Sequence, residues 1–509
     1  MQQTTRWRRR ALWPLALALG GAGAAPAALA ADEEGGGDFK LSGYVRTWAS
    51  FNLQNPPETP ENDRGDLSML RGALSLNADL RTGPIQWKAI ARLDREYKTN
   101  YLKRLEKINQ GALSGGPGSD ILSLYNQGEI RELYADFSPT DRLHLRVGRQ
   151  QVVWGETDFF HVTDLIHGFD LRWRSFLEKD NDEVRKPLNL INANLDIPEA
   201  GGSLQLIIRP GWDRDRDIGT TYDLSGGRWA LQPNKGVDFL SPLALDYDYR
   251  HPDADTHDVT GGVRWSGQAG GFNYGVSYLK TYNANPIANS AFAPYKQQPR
   301  GTLGDFIHPK IDVFGVSVSK DIAALDAVIS AETAFIKDAP YNIGTGFADG
   351  ALPGFGGILK KDAWVTSVRF DKSLRLMEAL GTVAPSFSSI QLFDTFIQDF
   401  DKSDDLVELV GFGAPVRKHT TILSGFITLN YLNSRLNPGL AFGVDLSNGD
   451  GFVIPSVEFS MGNNWRLLVE ADLFLPNKQK RPGQVETRAH PLGGFAHNNQ
   501  LLARLTYQF

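Results

Sequence analysis

The residues of this 509-residue chain with the most chemical potential are charged and regularly spaced. Arg142, His144, Arg146 and Arg149 form one cationic run, and Lys88, Arg92 and Asp94 an earlier, mixed one. Side chains two apart on a strand share a face. A cationic ladder on the inner wall of a channel attracts anions or polarised head groups; the plainer reading, which we favour, is salt bridging between that wall and a neighbouring loop. A second group is acidic: Asp213, Asp215 and Asp217 precede Gly219. A calcium loop of the EF-hand type needs Gly at its sixth position and Glu at its twelfth. Ile218 and Leu224 stand there, so a solvated loop is the expected outcome. His251, Asp253, Asp255 and His257 have metal-compatible side chains without a recognised ligand spacing. Neither metal nor cofactor is expected. Nucleophile chemistry is thinly represented: nine His, no Cys and no G-x-S-x-G elbow. His144 is the one wall histidine to inspect for a Ser/His/carboxylate set, which spacing alone does not assemble. An enzyme is not expected.

The elements that must carry these residues are strands. The chain ends Leu501-Leu502-Ala503-Arg504-Leu505-Thr506-Tyr507-Gln508-Phe509. Leu501, Ala503, Leu505, Tyr507 and Phe509 point one way and the polar residues with Leu502 the other, a period of two with one apolar face. Phe39, Leu41, Val45 and Phe51 repeat the pattern, as do Leu70, Leu74, Leu76 and Leu80. Ile85, Trp87, Ala89, Ala91 and Leu93 alternate with Gln86, Lys88, Arg92 and Asp94 after a Thr82-Gly83-Pro84 turn. Continuing to the C-terminus gives about eighteen such segments. Short turns alternate with long polar insertions, near 98–128, 155–188, 210–256, 282–309, 337–362, 399–418 and 475–498. That alternation marks a barrel threaded with periplasmic turns on one rim and outer loops on the other. Two places fit less well. Residues 371–386 are long for a periplasmic turn and suggest a short helix, and Ser447–Asp450 is short for an outer loop. The expected fold is therefore all-β: a transmembrane antiparallel up-and-down barrel of about 16–18 strands with an inserted helical loop segment.

Residues 1–30 read as a secretory signal peptide: Arg6, Arg8, Arg9 and Arg10, a short apolar core, then Ala28-Leu29-Ala30. Residues 31–509 read as one outer-membrane barrel. The net charge is -6, with 53 basic against 59 acidic residues. Removing the four leader arginines leaves 49 against 59, about -10, so nucleic acid is not an expected partner. The absence of Cys leaves burial and ladder hydrogen bonds to hold the exported chain together.

The densest stretch runs from Arg142 to Asn194. Leu143, Leu145 and Val147 should face lipid and Arg142, His144 and Arg146 the lumen. Strict alternation would then put Arg149 against hydrocarbon, at a cost of about 2–4 kcal/mol at mid-membrane. A bulge at Gly148 is expected to flip the parity, so that Arg149 and Gln151 face inward and Val152 and Trp154 outward, Trp154 in the outer aromatic girdle. Between 155 and 188, Leu165, Phe169, Trp173, Phe176 and Leu177 recur at helical spacing, with Asp164, Asp170, Arg172, Arg174, Glu178 and Lys179 between them. The segment reads as a lumen constriction or as an outer cap helix. Asp170, Arg172 and Arg174 would line the constriction.

The same stretch carries a family resemblance. Gly148-Arg149-Gln150, Val152, Trp154-Gly155-Glu156, the Asp180–Asp182 run and Arg185-Lys186-Pro187 resemble the bacterial outer-membrane barrel family called domain of unknown function 1302. The C-terminal Phe509 likewise resembles the terminal aromatic that the barrel-assembly machinery reads in outer-membrane barrels. The resemblance implies a barrel in the outer membrane of a Gram-negative bacterium, embedded in its lipid and lipopolysaccharide. It also implies transport of a small hydrophobic or amphipathic compound, beside a periplasmic lipoprotein-sorting-like protein and a resistance-nodulation-division pump. The alternatives are a general or anion-leaning porin, a surface structural or adhesin barrel and, last, a barrel hydrolase.

Overall fold

The computed structural model describes residues 39–56, 59, 61–110, 120–178, 180–223, 226–230, 247–289, 306–344, 357–410, 413–477, 490 and 492–509. The leader expected over 1–30 lies outside them. Alternation produces eighteen long strands, numbered here along the chain. The first nine are β1 (Phe39–Asn52), β2 (Leu67–Thr82), β3 (Ile85–Glu96), β4 (Gln127–Phe137), β5 (Leu143–Gln150), β6 (Leu188–Ile197), β7 (Gly202–Arg209), β8 (Thr260–Ala269) and β9 (Phe272–Tyr282). The rest are β10 (Lys310–Ile322), β11 (Ala327–Ile343), β12 (Gly357–Leu374), β13 (Ser386–Ile397), β14 (His419–Thr428), β15 (Leu436–Asp445), β16 (Gly451–Met461), β17 (Trp465–Leu475) and β18 (Gln500–Gln508). Each pairs antiparallel with its neighbour in sequence, and β18 returns to β1, Tyr44 opposite Gln508 and Asn52 opposite Gln500. The sheet has no free edge: it is a closed eighteen-stranded barrel, the one way a sheet satisfies its backbone in hydrocarbon. Phe509 completes the seam, its N–H donating to the Gly43 carbonyl and its carbonyl accepting from the Gly43 N–H, each at 3.0 Å.

The two ill-fitting places are real features. The connection between β12 and β13 holds a short helix, Met377–Leu380, and the outer connection between β15 and β16 is short. Outward residues are apolar and exposed, among them Trp87, Leu133, Val276 and Ile390. On the outer-loop side an aromatic row crosses β9 to β13 in register: Tyr278, Phe314, Phe335, Trp364 and Phe396 are successive cross-strand partners. Such rows mark the interface of a bilayer.

Three expectations fail. The ladder runs unbroken through Gly148, which pairs with Tyr134 on one side and Leu190 on the other, so there is no bulge there. Gly148 instead takes φ +130°. A Cβ at that position would collide with the Leu133 carbonyl. The extra residue sits one strand away: the pairing of β3 with β4 steps from Ile90–Glu132 to Ala91–Ile130, leaving Arg131 over. Without a bulge Arg149 does not turn into the lumen but stays in the outward register of Leu133; it escapes lipid because it lies at the strand end and reaches the outer-loop carboxylate of Asp217 at 2.9 Å. Trp154 is not in a girdle, nor does Val152 face out. Both are buried inside the barrel, and the Trp154 indole N–H donates to the inward Gln205 at 2.8 Å. Finally, 155–188 is not an amphipathic helix. Before β6 its described residues are irregular except for a turn at Ser175–Leu177, one helical turn at Asn181–Val184 and single β-bridges of Phe169 to Arg185 and Asp170 to Thr221. Its apolar residues follow the surface they pack on rather than a period of 3.6.

Candidate functional site: the lumen and the segment that crosses it

Leaving β5 at Gln150, the chain turns into the lumen and emerges at Pro187. The segment is fastened around the wall. Glu183 meets Arg46 of β1 at 3.1 Å and Arg92 of β3 at 2.7 Å, and takes the Tyr44 hydroxyl at 2.8 Å. Arg174 is buried among Glu178 of its own segment and Glu470 and Asp472 of β17, while Glu178 holds Arg504 of β18 at 3.0 Å. Asp158 meets Arg369 of β12 at 3.1 Å, and the Thr163 hydroxyl donates to Glu332 of β11 at 2.7 Å. Charges buried this deeply persist because they are paired; removing one partner would strand the other.

Apolar contacts complete the attachment. Phe160 meets Phe393 edge-on at 5.4 Å, Phe159 meets Phe452 at 5.5 Å, and Trp173 meets Trp48 at 5.4 Å under the Arg71 guanidinium. Each ring pair adds about 0.5–1.5 kcal/mol beyond burial.

His167 fixes the neck where the segment enters and leaves. Its Nε2 accepts the Val152 N–H at 2.9 Å, so Nδ1 carries the proton and donates to the Lys186 carbonyl at 2.9 Å. Burial pushes this imidazole down to about 4. Arg185 pairs with Asp164 at 2.5 Å across the same neck. Lys186 donates to the Gly219 carbonyl at 2.6 Å, tying the neck to an outer loop, and burial pushes its ammonium down to about 7.

The residues singled out from sequence fall into separate places. Arg92 and Asp94 meet each other at 3.0 Å and join the Glu183 cluster. Lys88 pairs with Asp79 at 2.9 Å, nearer the short turns. His144 and Arg146 share Asp136, each at 2.9 Å, and Arg142 is exposed, paired with Glu199. Arg149 is apart from these, on Asp217, so the four cations do not make one ladder. Asp170 and Arg172 pair within the crossing segment at 2.7 Å. The family-motif residues build the neck: Gln150 is fully buried and donates to the Leu190 carbonyl at 3.0 Å, Gly155 lies against Asp164, and Arg185 and Pro187 lead into β6. Asp213 holds Arg209 at 2.6 Å, Asp215 takes the Thr256 hydroxyl and Asp217 binds Arg149 and Arg214, so the acidic triplet serves the loop's own bonds. Among the described residues no group of three or more His, Asp or Glu is arranged for a metal.

Sequence reasoning missed Arg46, Glu183, Glu332 and the pair Glu470 and Asp472. The last two carried a usable signal: acids two apart on an inward strand face demand cations from somewhere.

The closed antiparallel barrel, apolar outside and crossed inside by a segment bonded to most of its circumference, is built as a membrane-spanning β-barrel. The family model described as "Protein of unknown function (DUF1302)" matches residues 11–509, and the chain belongs to that family. No curated protein matches the sequence. Among solved structures it is similar to Salmonella typhi OmpF in complex with daunomycin, at 9% identity over 92% of this chain and 97% of that one, TM-score 0.39. It is also similar to Acinetobacter baumannii OccAB2, at 9% identity over 93% and 98%, TM-score 0.45. Pseudomonas aeruginosa OccK2 (OpdF) in complex with glucuronate gives 8% over 93% and 98%, TM-score 0.45.

Proposed function

We propose that this protein is an exported channel of the bacterial outer membrane that passes a small hydrophobic or amphipathic organic compound, with the crossing segment as its constriction. The observation that carries the reading is an apolar strip on the inner wall. Phe393, Ile422, Phe426, Ile454, Phe452 and Phe474 face inward on β13, β14, β16 and β17. A water-filled barrel carries polar residues at such positions. Phe159, Phe160 and Phe176 of the crossing segment face this strip and are only half-buried. An apolar molecule displacing them would exchange one hydrocarbon contact for another. The leader delivers the chain to the assembly machinery, which reads Phe509, and the periplasmic carrier and pump of the resemblance would hand cargo across the short-turn rim.

Planar-bilayer conductance tests this. The conduit reading expects near-silence from the wild type and a saturable flux of an amphipathic dye into proteoliposomes. A wide, steady conductance with no dye preference would replace it with a general porin, the reading that the polar opposite wall favours.

A further inference from the structure

The inner wall opposite the apolar strip holds a cavity of about 520 Å³ between the crossing segment and the short-turn rim. Its floor is one register row across five strands: Ser203, Ser266, Gly275, Ser317 and Glu332 are successive cross-strand partners on β7 to β11. The first four of these side chains are small, which is why space remains. A Cβ on Gly275 would lie 2.8 Å from the Ser317 hydroxyl and 3.3 Å from two nitrogens of Arg264, so the guanidinium lies across the glycine and stays at the cavity wall.

Arg264 differs from the other inward arginines. Arg46, Arg71, Arg92, Arg209, Arg369 and Arg504 each have a carboxylate within 4 Å. Among the described residues, Arg264 has neither an ion pair nor a hydrogen bond. The acids that share the cavity do not supply one. Glu332 accepts from the Glu156 N–H and the Thr163 hydroxyl, and Glu156 and Asp196 are exposed at its edge. A half-buried guanidinium among hydroxyls is a fork of donors without an acceptor.

We propose that this cavity is the head-group subsite of the channel, where Arg264 and the surrounding serines bind an anionic oxygen group, carboxylate or phosphate, of an amphipathic cargo whose tail lies toward the apolar strip. This rests on the conduit reading and narrows its substrate class. Bidentate pairing with Arg264 supplies a charge-assisted contact, and Ser266 and Ser317 supply hydrogen bonds to the remaining oxygens.

The test is direct binding of decanoate, decyl phosphate, decanol and decylammonium to the purified full chain and to Arg264→Gln, in one detergent so that micelle partition is common to both. The expected result is about tenfold weaker binding of at least one anion to the variant, with decanol unchanged. The stronger of the two anions identifies the head group. Arg264 bonds to nothing that its removal would orphan, and heat-modifiable mobility checks that the barrel folds. Ser317→Phe, which fills the cavity, should lower anion affinity as well. Equal anion binding to wild type and Arg264→Gln, or a preference for decylammonium, overturns the subsite; if decanol still binds, the conduit reading survives. No binding of any of the four overturns both.

Discussion

The two sides of the lumen are built on opposite plans. On β7 to β11 the inward row reads Ser, Ser, Gly, Ser, Glu and leaves a cavity; on β13 to β17 inward positions carry Phe393, Phe426, Phe452 and Phe474 and are filled by phenylalanines of the crossing segment. Both walls obey the same period of two, so pattern does not separate them; side-chain volume and polarity do. The difference shows where the crossing segment covers the wall and where, toward the short turns of β7 to β11, it leaves the wall open. Against β13 to β17 it is attached by rings. Against β7 to β11, Val152, Trp154, Val162 and Ile166 are buried with Ile207, Leu279, Val313 and Ala334 toward the outer loops, and only below Thr163 and the Glu156 N–H, which reach Glu332, does the cavity open. A passage that opens without dismantling the segment would open on the cavity side.

The strongest way to break this picture is to remove the segment. Replacing 157–183 with a short Gly-Ser linker should convert a near-silent barrel into a steady, wide pore, since eighteen strands enclose an open lumen unless something fills it. Unchanged conductance would mean that the outer loops, not this segment, close the barrel. Smaller changes separate the walls. Glu183→Ala leaves Arg46 and Arg92 without their shared carboxylate and should cost about 3–5 kcal/mol of local stability. Phe452→Ala should cost a similar amount, about 3–5 kcal/mol, by opening a hole under Phe159 and Phe176. Ser317→Ala on the opposite wall should stay within about 0.5 kcal/mol. Hydrogen exchange of residues 157–183 reads all three, and equal loosening by Phe452→Ala and Ser317→Ala would erase the distinction between the walls.

Much of the barrel was legible because lipid imposes a strict rule on every second residue. The hairpin from Leu67 to Glu96, the unusual turn with its helix at Met377–Leu380 and the short outer loop before Gly451 all followed from alternation and loop length. The lumen was less legible, for a physical reason. Trp154 and Val152 are apolar whether they meet hydrocarbon outside or the buried cluster with Ile207, Leu279 and Val313 within, so composition does not report their side. Gly148 marked an irregularity, yet its positive φ serves a close approach to β4 rather than an added residue, and the real insertion, Arg131, has no glycine to mark it. Trp173, Phe176 and Leu177 are spaced as on a helix but are separated in space, packing against Trp48 on one side and Phe452 on the other.

Acid should loosen the neck. The His167 pKa is lowered from 6.5 to about 4, so its contribution to stability is complete above pH 6.5 and is lost as pH falls through the window down to about 4. The shift corresponds to about 3 kcal/mol. Protonation places a second N–H on Nε2, against the Val152 N–H that it accepts at neutral pH. Exchange at Val152 should therefore rise between pH 6.5 and 4 in wild type. In His167→Gln, which keeps a carbonyl acceptor and a donor but does not titrate, it should be flat. A parallel rise in the variant would assign the acid response to the carboxylates instead.

The smallest effect is expected where sequence placed most of the charge. His144 and Arg146 share Asp136 near the short-turn rim, with side chains 43% and 32% exposed. Exposed pairs of this kind contribute about 0–1 kcal/mol. Arg146 is offset by the Asp136 carboxylate in contact with it, whereas among the described residues no carboxylate touches Arg264. In the barrel lacking 157–183, Arg146→Gln should leave reversal potentials in a salt gradient nearly unchanged, and Arg264→Gln should shift them toward cation preference. The opposite ranking would move anion discrimination to the rim and make the number of arginines, rather than the absence of a partner, the feature that matters.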